Sequence, residues 1–241
     1  MKKLKFSYFQ LTFGQEETYL HPEKTYQRLK KFGYDAIELC PPKGRYGLGM
    51  SMEDYLATHL KLKDVYGLDV SCLNECWGEM WDPYSPNYKT LTERKTADLA
   101  VSETKITIDL ASELKAPYVT VAVAIHDTIT ADNVVECSGI AVEALRQMSR
   151  YGKEKGVSLV FEATNHLEMG KFVNTVANHK LLIEKTGADN IGIQIDWFHA
   201  NLEELNPYEA VMDAGNLLWH MHFRDSNSLT PGYGSVDFKA V

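Results

Sequence analysis

The chain has 241 residues, of which 44% are hydrophobic, 24% charged and 11% aromatic. These proportions exclude a mainly disordered protein and are sufficient for a large buried core. The net charge of −8 argues against a protein that holds nucleic acid by bulk electrostatics, which requires a basic face. No stretch approaches the ~18 apolar residues of a membrane-spanning helix, so we expect neither a nucleic acid nor a membrane as partner.

The amino terminus indicates a cytoplasmic protein. Its first residues are basic, but polar side chains interrupt the apolar segment 6–13 that follows, so no signal peptide is predicted. The four cysteines are sparse, and no second Cys or His pair completes the half zinc site that Cys72 and Cys76 would form. We therefore expect reduced thiols in a reducing compartment.

One pattern recurs along the chain. A helical stretch ends in glycine and a short β-rich run follows within a few residues, at 30–39, 65–73, 153–161 and 185–195. Glycine just past a helix end adopts the left-handed conformation at little cost, and lysines in the last turn suit the helix dipole. Each occurrence predicts a helix, its C-cap and then a strand.

In chain order, the pattern predicts seven strands that alternate with helices. The strands are expected near residues 5–12, 36–40, 70–74, 118–124, 158–163, 191–196 and 218–223. The helices are expected near residues 22–32, 52–66, 91–114, 131–154, 170–185 and 207–214. In the third helix, apolar residues at a spacing close to 3.6 predict one apolar face: Leu99, Ile106, Leu110 and Leu114.

Alternating strands and helices in units of about thirty residues predict right-handed βα units and a parallel sheet. A doubly wound open sheet and a closed (β/α)8 TIM barrel both fit this order. No G-x-G-x-x-G follows the first strand and no G-x-x-x-x-G-K-[ST] occurs, which removes two common reasons for an open sheet. We therefore predict an α/β protein of the TIM-barrel type. Because no low-complexity linker interrupts it, we expect a single domain over residues 1–241.

Ionisable residues stand at the ends of three neighbouring predicted strands. Glu162, Asp196 and His222 follow apolar runs, at the strand ends where TIM barrels carry their chemistry. Period-two alternation lets the three side chains converge above the barrel. Two carboxylates and one imidazole suit Mn²⁺, Mg²⁺, Co²⁺ or Zn²⁺. The sequence therefore predicts one divalent ion bound by these three residues.

The remaining histidines are expected to lie in the core, to support the metal ligands or to be solvated. His220 lies one layer deeper than His222 and is expected to fill the core or to support the metal ligands. His21, His59 and His179 fall in predicted loops or helices, where we expect them to be solvated.

Several motifs carry a family resemblance: EATNHLE at 162–168, DWFHAN at 196–201, HMHFRD at 220–225, PGYGSVDF at 231–238, and FGYDAIEL at 32–39. They resemble the xylose-isomerase-like TIM-barrel superfamily, whose members include sugar epimerases and isomerases, dehydratases and endonuclease IV. The resemblance covers nearly the whole chain. It is specific for the superfamily and poorly specific within it.

The resemblance implies roles for individual residues. Glu162, Asp196 and His222 would bind the metal, and Glu162 would also be the catalytic acid or base. In that chemistry the ion polarises the carbonyl of a hydroxycarbonyl sugar, which acidifies the adjacent C–H and stabilises an enediolate. The residues expected to bind substrate are Glu168, His199, Arg224, Asn165 and Trp77.

The aromatic residues after the third strand have two readings. Trp77, Trp81 and Tyr84 could form the wall against which a sugar face packs. They could equally form a packed cap over the loop. The residues themselves leave both readings open.

One feature departs from the family pattern. Such enzymes usually take a fourth metal ligand, a glutamate, from the end of the eighth strand, and this sequence reaches Val241 before such a strand. We therefore expect the eighth βα unit to be missing and the first and seventh strands to keep open edges. The sequence is then either a fragment or one whose barrel is closed by a second copy or a partner chain. We expect the two edges to be disordered, to collapse towards each other, or to be covered by another chain.

The resemblance predicts a divalent-metal-dependent isomerase or epimerase of a ketose or related hydroxycarbonyl compound. Two alternatives stay open: a dehydratase or lyase with the same metal and enediolate, and a catalytically impaired barrel that binds a sugar or a partner. A phosphodiesterase like endonuclease IV is disfavoured because it needs extra histidines on the second and third strands. This chain has Cys-Pro-Pro at 40–42 and Asn-Glu-Cys at 74–76 there.

Overall fold

The computed structural model describes residues 4–75, 77, 82, 84–123 and 129–240. Within them, seven strands form one sheet in which every neighbouring pair is parallel and the spatial order equals the chain order. The strands are β1 (Ser7–Phe9), β2 (Ala36–Leu39), β3 (Asp69–Asn74), β4 (Tyr118–Val121), β5 (Ser158–Ala163), β6 (Ile191–Asp196) and β7 (Leu218–His222).

Helices connect the strands as expected for right-handed βα units. In the part of the chain that the structure describes, they are α1 (Pro22–Phe32), α2 (Met52–Tyr66), α3 (Arg94–Leu114), α4 (Val134–Lys155), α5 (His166–Met169), α6 (Val176–Thr186), α7 (Trp197–Glu203) and α8 (Pro207–Ala214). The short helices α5 and α7 were not predicted. They begin directly after β5 and β6, and α5 occupies residues just before the helix predicted at 170–185.

The sheet confirms the predicted α/β TIM-barrel class with seven strands. Among the described residues the sheet runs from β1 to β7, and no backbone pairing joins these two strands. That a second copy or a partner chain covers the edges of β1 and β7 stays a prediction. No helix in the described ranges is long and apolar enough to cross a membrane.

The glycines predicted to follow helices do lie at helix C-termini. Gly156 follows α4 and Gly187 follows α6, with φ of +73° and +65°, in the left-handed region that favours glycine. The third helix ends differently, because Lys115 adopts φ +59° at the same position. The pattern therefore missed this helix end, where a lysine bears the strain that glycine avoids.

The predicted apolar face of α3 is only half right. Leu110 and Leu114 are buried, whereas Leu99 and Ile106 are 50% and 49% exposed. Small side chains dominate the buried face, which lets the helix pack closely against its neighbours. Besides those two leucines, the buried residues are Ala97, Ala100, Val101, Thr104, Thr107, Ile108 and Ala111.

Candidate metal centre and its surroundings

The register of the sheet brings the predicted ligands together. Asp196 and His222 are the last residues of β6 and β7 and are direct register partners. Glu162 pairs with Gln194, which lies two residues before Asp196 and therefore faces the same side of the sheet. All three side chains thus meet at the carboxyl ends of adjacent parallel strands.

The three side chains lie at ligand-sharing distances. Glu162, Asp196 and His222 each offer one ligand atom, and these atoms lie within 4.8 Å of one another. His222 Nδ1 is 3.6 Å from Glu162 Oε1 and 3.7 Å from Asp196 Oδ2. Such a set of nitrogen and oxygen donors fits a divalent cation. That the three residues bind a metal stays a prediction.

Electrostatics keep the two carboxylates ionised. Burial acts to raise the pKa of Asp196, but hydrogen bonding to His222 and the charge of Arg224 outweigh it and lower this pKa to about 2. Burial also acts to raise the pKa of Glu162, and contact with His222 lowers it overall. Burial opposes a charge on His222, yet Glu38, Asp196 and Glu162 raise its pKa well above the ordinary value. A bound cation would have to displace a proton from this imidazole.

A chain of polar contacts extends from Asp196 through Arg224 and His199. Arg224 Nε donates to Asp196 Oδ2 at 2.8 Å, and its Nη2 lies 3.2 Å from His199 Nε2. His199 Nδ1 is 2.6 Å from Asn165 Nδ2 and 3.7 Å from Glu168 Oε2. The structure therefore brings four of the five predicted substrate-binding residues into one connected group.

Two members of this group are partly exposed and two are buried. The side chains of Glu168 and Arg224 are 40% and 35% exposed, so both can reach a ligand. Asn165 is buried, and its Oδ1 accepts the backbone N–H groups of Leu167 and Glu168 as the N-cap of α5. Its amide is thus engaged by protein groups, and its contact with substrate stays a prediction.

The described aromatic residues after β3 differ in how far they are exposed to solvent. Trp77 is 1% exposed, and its Nε1 donates to Thr104 Oγ1 at 3.0 Å, which favours the packed-cap reading for this residue. Tyr84 is 94% exposed, and Trp81, like Cys76, lies outside the described residues. The contact of Trp77 with a sugar stays a prediction that this buried position does not support.

Sequence reasoning missed Glu38. This residue of β2 is 1% exposed, and its carboxylate lies across the barrel interior from β7. It accepts hydrogen bonds from His220 Nε2 at 2.9 Å and from His222 Nε2 at 2.9 and 3.0 Å. A carboxylate in the middle of a strand that is otherwise apolar was the signal that could have indicated it.

Two histidines predicted to be solvated are buried instead. His59 faces inward from α2 with Nδ1 2.9 Å from the Tyr26 hydroxyl, and burial lowers its pKa to about 3. His179 faces inward from α6, and burial lowers its pKa to about 4. The prediction was wrong because it ignored which face of each helix these positions occupy. His21 is exposed, as expected.

Comparison with known proteins agrees with this geometry. The family model described as a xylose isomerase-like TIM barrel matches residues 26–241. The chain is 35% identical over 101 residues to a D-psicose 3-epimerase of Enterocloster bolteae, and 35% identical over 98 residues to an L-ribulose 3-epimerase of Mesorhizobium japonicum. These segments cover 42% and 41% of this chain and 33% of each relative, so the match spans about a third of their length.

A solved structure shows the same fold over a longer range. The crystal structure of a D-psicose 3-epimerase with D-tagatose from Clostridium cellulolyticum H10 matches 99% of this chain and 79% of that one. The TM-score is 0.80 at 18% sequence identity. At this identity the likeness concerns the fold alone.

Proposed function

Because this chain belongs to the xylose isomerase-like TIM barrel family, we propose that it is a divalent-metal-dependent sugar epimerase or isomerase. Its substrate would be a ketose or a related hydroxycarbonyl compound. One observation carries the proposal: Glu162, Asp196 and His222 meet at the strand ends with ligand atoms within 4.8 Å of one another. The curated relatives named above, both ketose 3-epimerases, support the same class of reaction.

The chain's own residues supply the acid–base chemistry. A divalent ion bound by the three residues would polarise the substrate carbonyl and acidify the C–H beside it. Glu162 is ionised and largely buried, so it can accept that proton on one face of the substrate and deliver it to the neighbouring carbon, as an isomerase does. Epimerisation would require a second group that returns the proton to the opposite face of the same carbon. The negative charge that develops on the enediolate then lies in a buried site that Arg224 borders.

The polar group around His199 would orient the substrate. Glu168 and Arg224 are exposed enough to contact hydroxyl groups of a sugar, and His199 lies between them. Asn165 holds Glu168 and His199 at hydrogen-bonding distance and so fixes their relative position. Such placement raises the rate because proton transfer requires the C–H to be oriented toward the Glu162 carboxylate.

The test is proton exchange at the substrate carbon. Purified chain loaded with Mn²⁺ is incubated in D₂O with D-psicose, D-tagatose or L-ribulose, and products and deuterium incorporation are followed by chromatography and NMR. We expect deuterium at the carbon next to the carbonyl, loss of exchange with a chelator, and its return with Mn²⁺. The Glu162→Gln variant should exchange about 10²–10⁴-fold more slowly, the usual contribution of a general base.

A matched variant controls for unspecific damage. Glu203 is the last residue of α7; its carboxylate contacts His166 at 2.6 Å and lies outside the cluster, so Glu203→Gln should keep most of the activity. Equal exchange in Glu162→Gln and the parent chain would remove Glu162 from the mechanism. Release of a dehydrated product would instead favour the dehydratase class. Metal binding without any exchange would favour a sugar-binding barrel without turnover.

A further inference from the structure

The imidazole of His222 makes different contacts at its two nitrogens. Nδ1 points toward the predicted metal position, 3.6 Å from Glu162 Oε1 and 3.7 Å from Asp196 Oδ2. Nε2 points the opposite way and lies 3.0 and 2.9 Å from the two oxygens of Glu38. One ring therefore joins a carboxylate from β2 to the cluster on β5 and β6.

The surroundings of Glu38 define which nitrogen of His222 is protonated. An ionised carboxylate only accepts hydrogen bonds, so each nitrogen that faces it must donate. The donors are the amide of Asn74 at 3.3 Å, His220 Nε2 at 2.9 Å and His222 Nε2. Glu38 is 1% exposed, so these groups replace the water that would otherwise solvate its charge. His222 therefore carries a proton on Nε2.

The contact at the other nitrogen points to the same tautomer. In the structure Thr120 Oγ1 donates to Gln194 Oε1 at 2.6 Å, and the opposite end of this amide is its NH₂ group. That NH₂ group lies 3.2 Å from His222 Nδ1 and can donate to it. In the neutral ring Nδ1 is therefore the acceptor, which is the state that a metal ligand requires once the cation has displaced the second proton.

We propose that Glu38 is a positioning residue for the metal ligand His222. By accepting the Nε2–H it would hold the ring in the tautomer and orientation whose Nδ1 lone pair faces Glu162 and Asp196. The inference rests on the proposed function, because it assigns a role toward the same metal centre. Carboxylates that bond to the far nitrogen of a ligand histidine raise its basicity and fix its geometry, and their loss costs about 10–100-fold in metal affinity.

A second ion is the competing arrangement. Glu38, His220 and His222 also offer three ligand atoms within 4.8 Å of one another. An ion there would need both ring nitrogens of His222 to be free of protons while Nδ1 served the first site. The hydrogen bonds that already satisfy the buried carboxylate favour the positioning role. The stoichiometry of binding separates the two arrangements.

The first experiment measures Mn²⁺ binding by calorimetry. The Glu38→Gln variant preserves the shape of the side chain but removes its charge and brings an NH₂ group against two imidazole N–H groups. We expect one ion per chain and an affinity about 10–100-fold weaker than in the parent. The matched control is Glu203→Gln, which neutralises another largely buried carboxylate that contacts His166 rather than the metal ligands, and should keep the affinity within a few-fold.

The second experiment reads the tautomer directly and needs no variant. In the Zn²⁺-loaded chain labelled with ¹⁵N-histidine, we expect NMR to show a protonated Nε2 and a metal-bound Nδ1 on His222. A protonated Nδ1, a second ion in the parent chain, or unchanged affinity in Glu38→Gln would each overturn the inference. A parent chain that binds no ion overturns the inference and the metal centre together. The expected tautomer in a chain without epimerase activity supports the inference while contradicting the proposed function.

Discussion

At the scale of single residues, two buried histidines should make the stability of the chain depend on pH. His59 and His179 are fully buried in α2 and α6, and within the described part of the chain the Nε2 atom of each ring has no hydrogen-bond partner. Neither ring gains a group that would stabilise its charged form enough to offset burial, so both are neutral in the folded chain at neutral pH. Each will accept a proton more readily once the chain unfolds.

This gives a prediction for the pH dependence of stability. The pKa of His59 is about 3 in the folded chain and about 6.5 when unfolded, so its contribution is complete above pH 6.5 and is lost as pH falls toward 3. In urea titrations between pH 4.5 and 6, His59→Gln should reduce the slope of unfolding free energy against pH by up to about 1.4 kcal/mol per unit. His21→Gln, which alters an exposed ring, should leave the slope unchanged. An unaltered slope in His59→Gln would contradict the assignment.

At the scale of elements, a buried ion pair joins three segments that follow β2, follow β3 and belong to α3. Lys43 follows β2, and its Nζ lies 2.5 Å from Glu75 Oε2 and donates to the carbonyl of Glu103 in α3 at 2.9 Å. Glu75 also accepts from the backbone N–H of Trp77 at 2.9 Å and from the Thr107 hydroxyl. This network holds the backbone of Trp77, which adopts a left-handed φ of +45°.

Breaking this pair from one side should be costly. Glu75→Gln leaves the Lys43 ammonium buried without its counter-charge, and we expect the free energy of unfolding to fall by about 3–5 kcal/mol. The double variant Lys43→Met/Glu75→Gln should recover part of that loss, because no uncompensated charge remains buried. Urea titration provides the measurement. The exposed pair Lys153–Asp189 is the control, and Asp189→Asn should change stability little. A double variant no more stable than the single one would contradict this account.

An added methyl group should have opposite effects on stability at two glycines, one in a strand and one in a helix. In β6, a Cβ at Gly192 would lie 2.2 Å from the ring of Trp219 on β7. In α4, a Cβ at Gly139 would meet nothing within 4 Å. We expect Gly192→Ala to destabilise the chain by about 1–3 kcal/mol through overpacking. Gly139→Ala should stabilise it by about 0.5–1 kcal/mol through helix propensity. Thermal unfolding with the same sign for both variants would contradict the packing of β6 against β7.

At the scale of the whole molecule, the proposed metal ligands connect three strands that are distant in the chain. Glu162, Asp196 and His222 belong to β5, β6 and β7, so an ion shared by them would link these strands in the folded state alone. Binding that is restricted to the folded state must raise its stability by mass action.

The size of that effect is predictable. At a free Mn²⁺ concentration of 100 times Kd, the free energy of unfolding should rise by about 2.7 kcal/mol. For a chain of this size that corresponds to an increase in Tm of roughly 5–10 °C. Asp196→Asn should abolish the increase, although asparagine can still cap α7 as Asp196 does. A Tm in the variant that still rises with Mn²⁺ would show that the ion binds elsewhere.

The sequence by itself determined the order of the elements and the identity of the strand-end residues. Glycine C-caps and alternating strands are local signals, and they predicted the parallel sheet and the grouping of Glu162, Asp196 and His222 on neighbouring strands. The tertiary structure alone decided that Glu38 lies against His222, because the two residues are 184 positions apart and meet only across the curved sheet. Periodicity reports which face of a strand a side chain occupies, and it carries no information about which strands face each other across the interior.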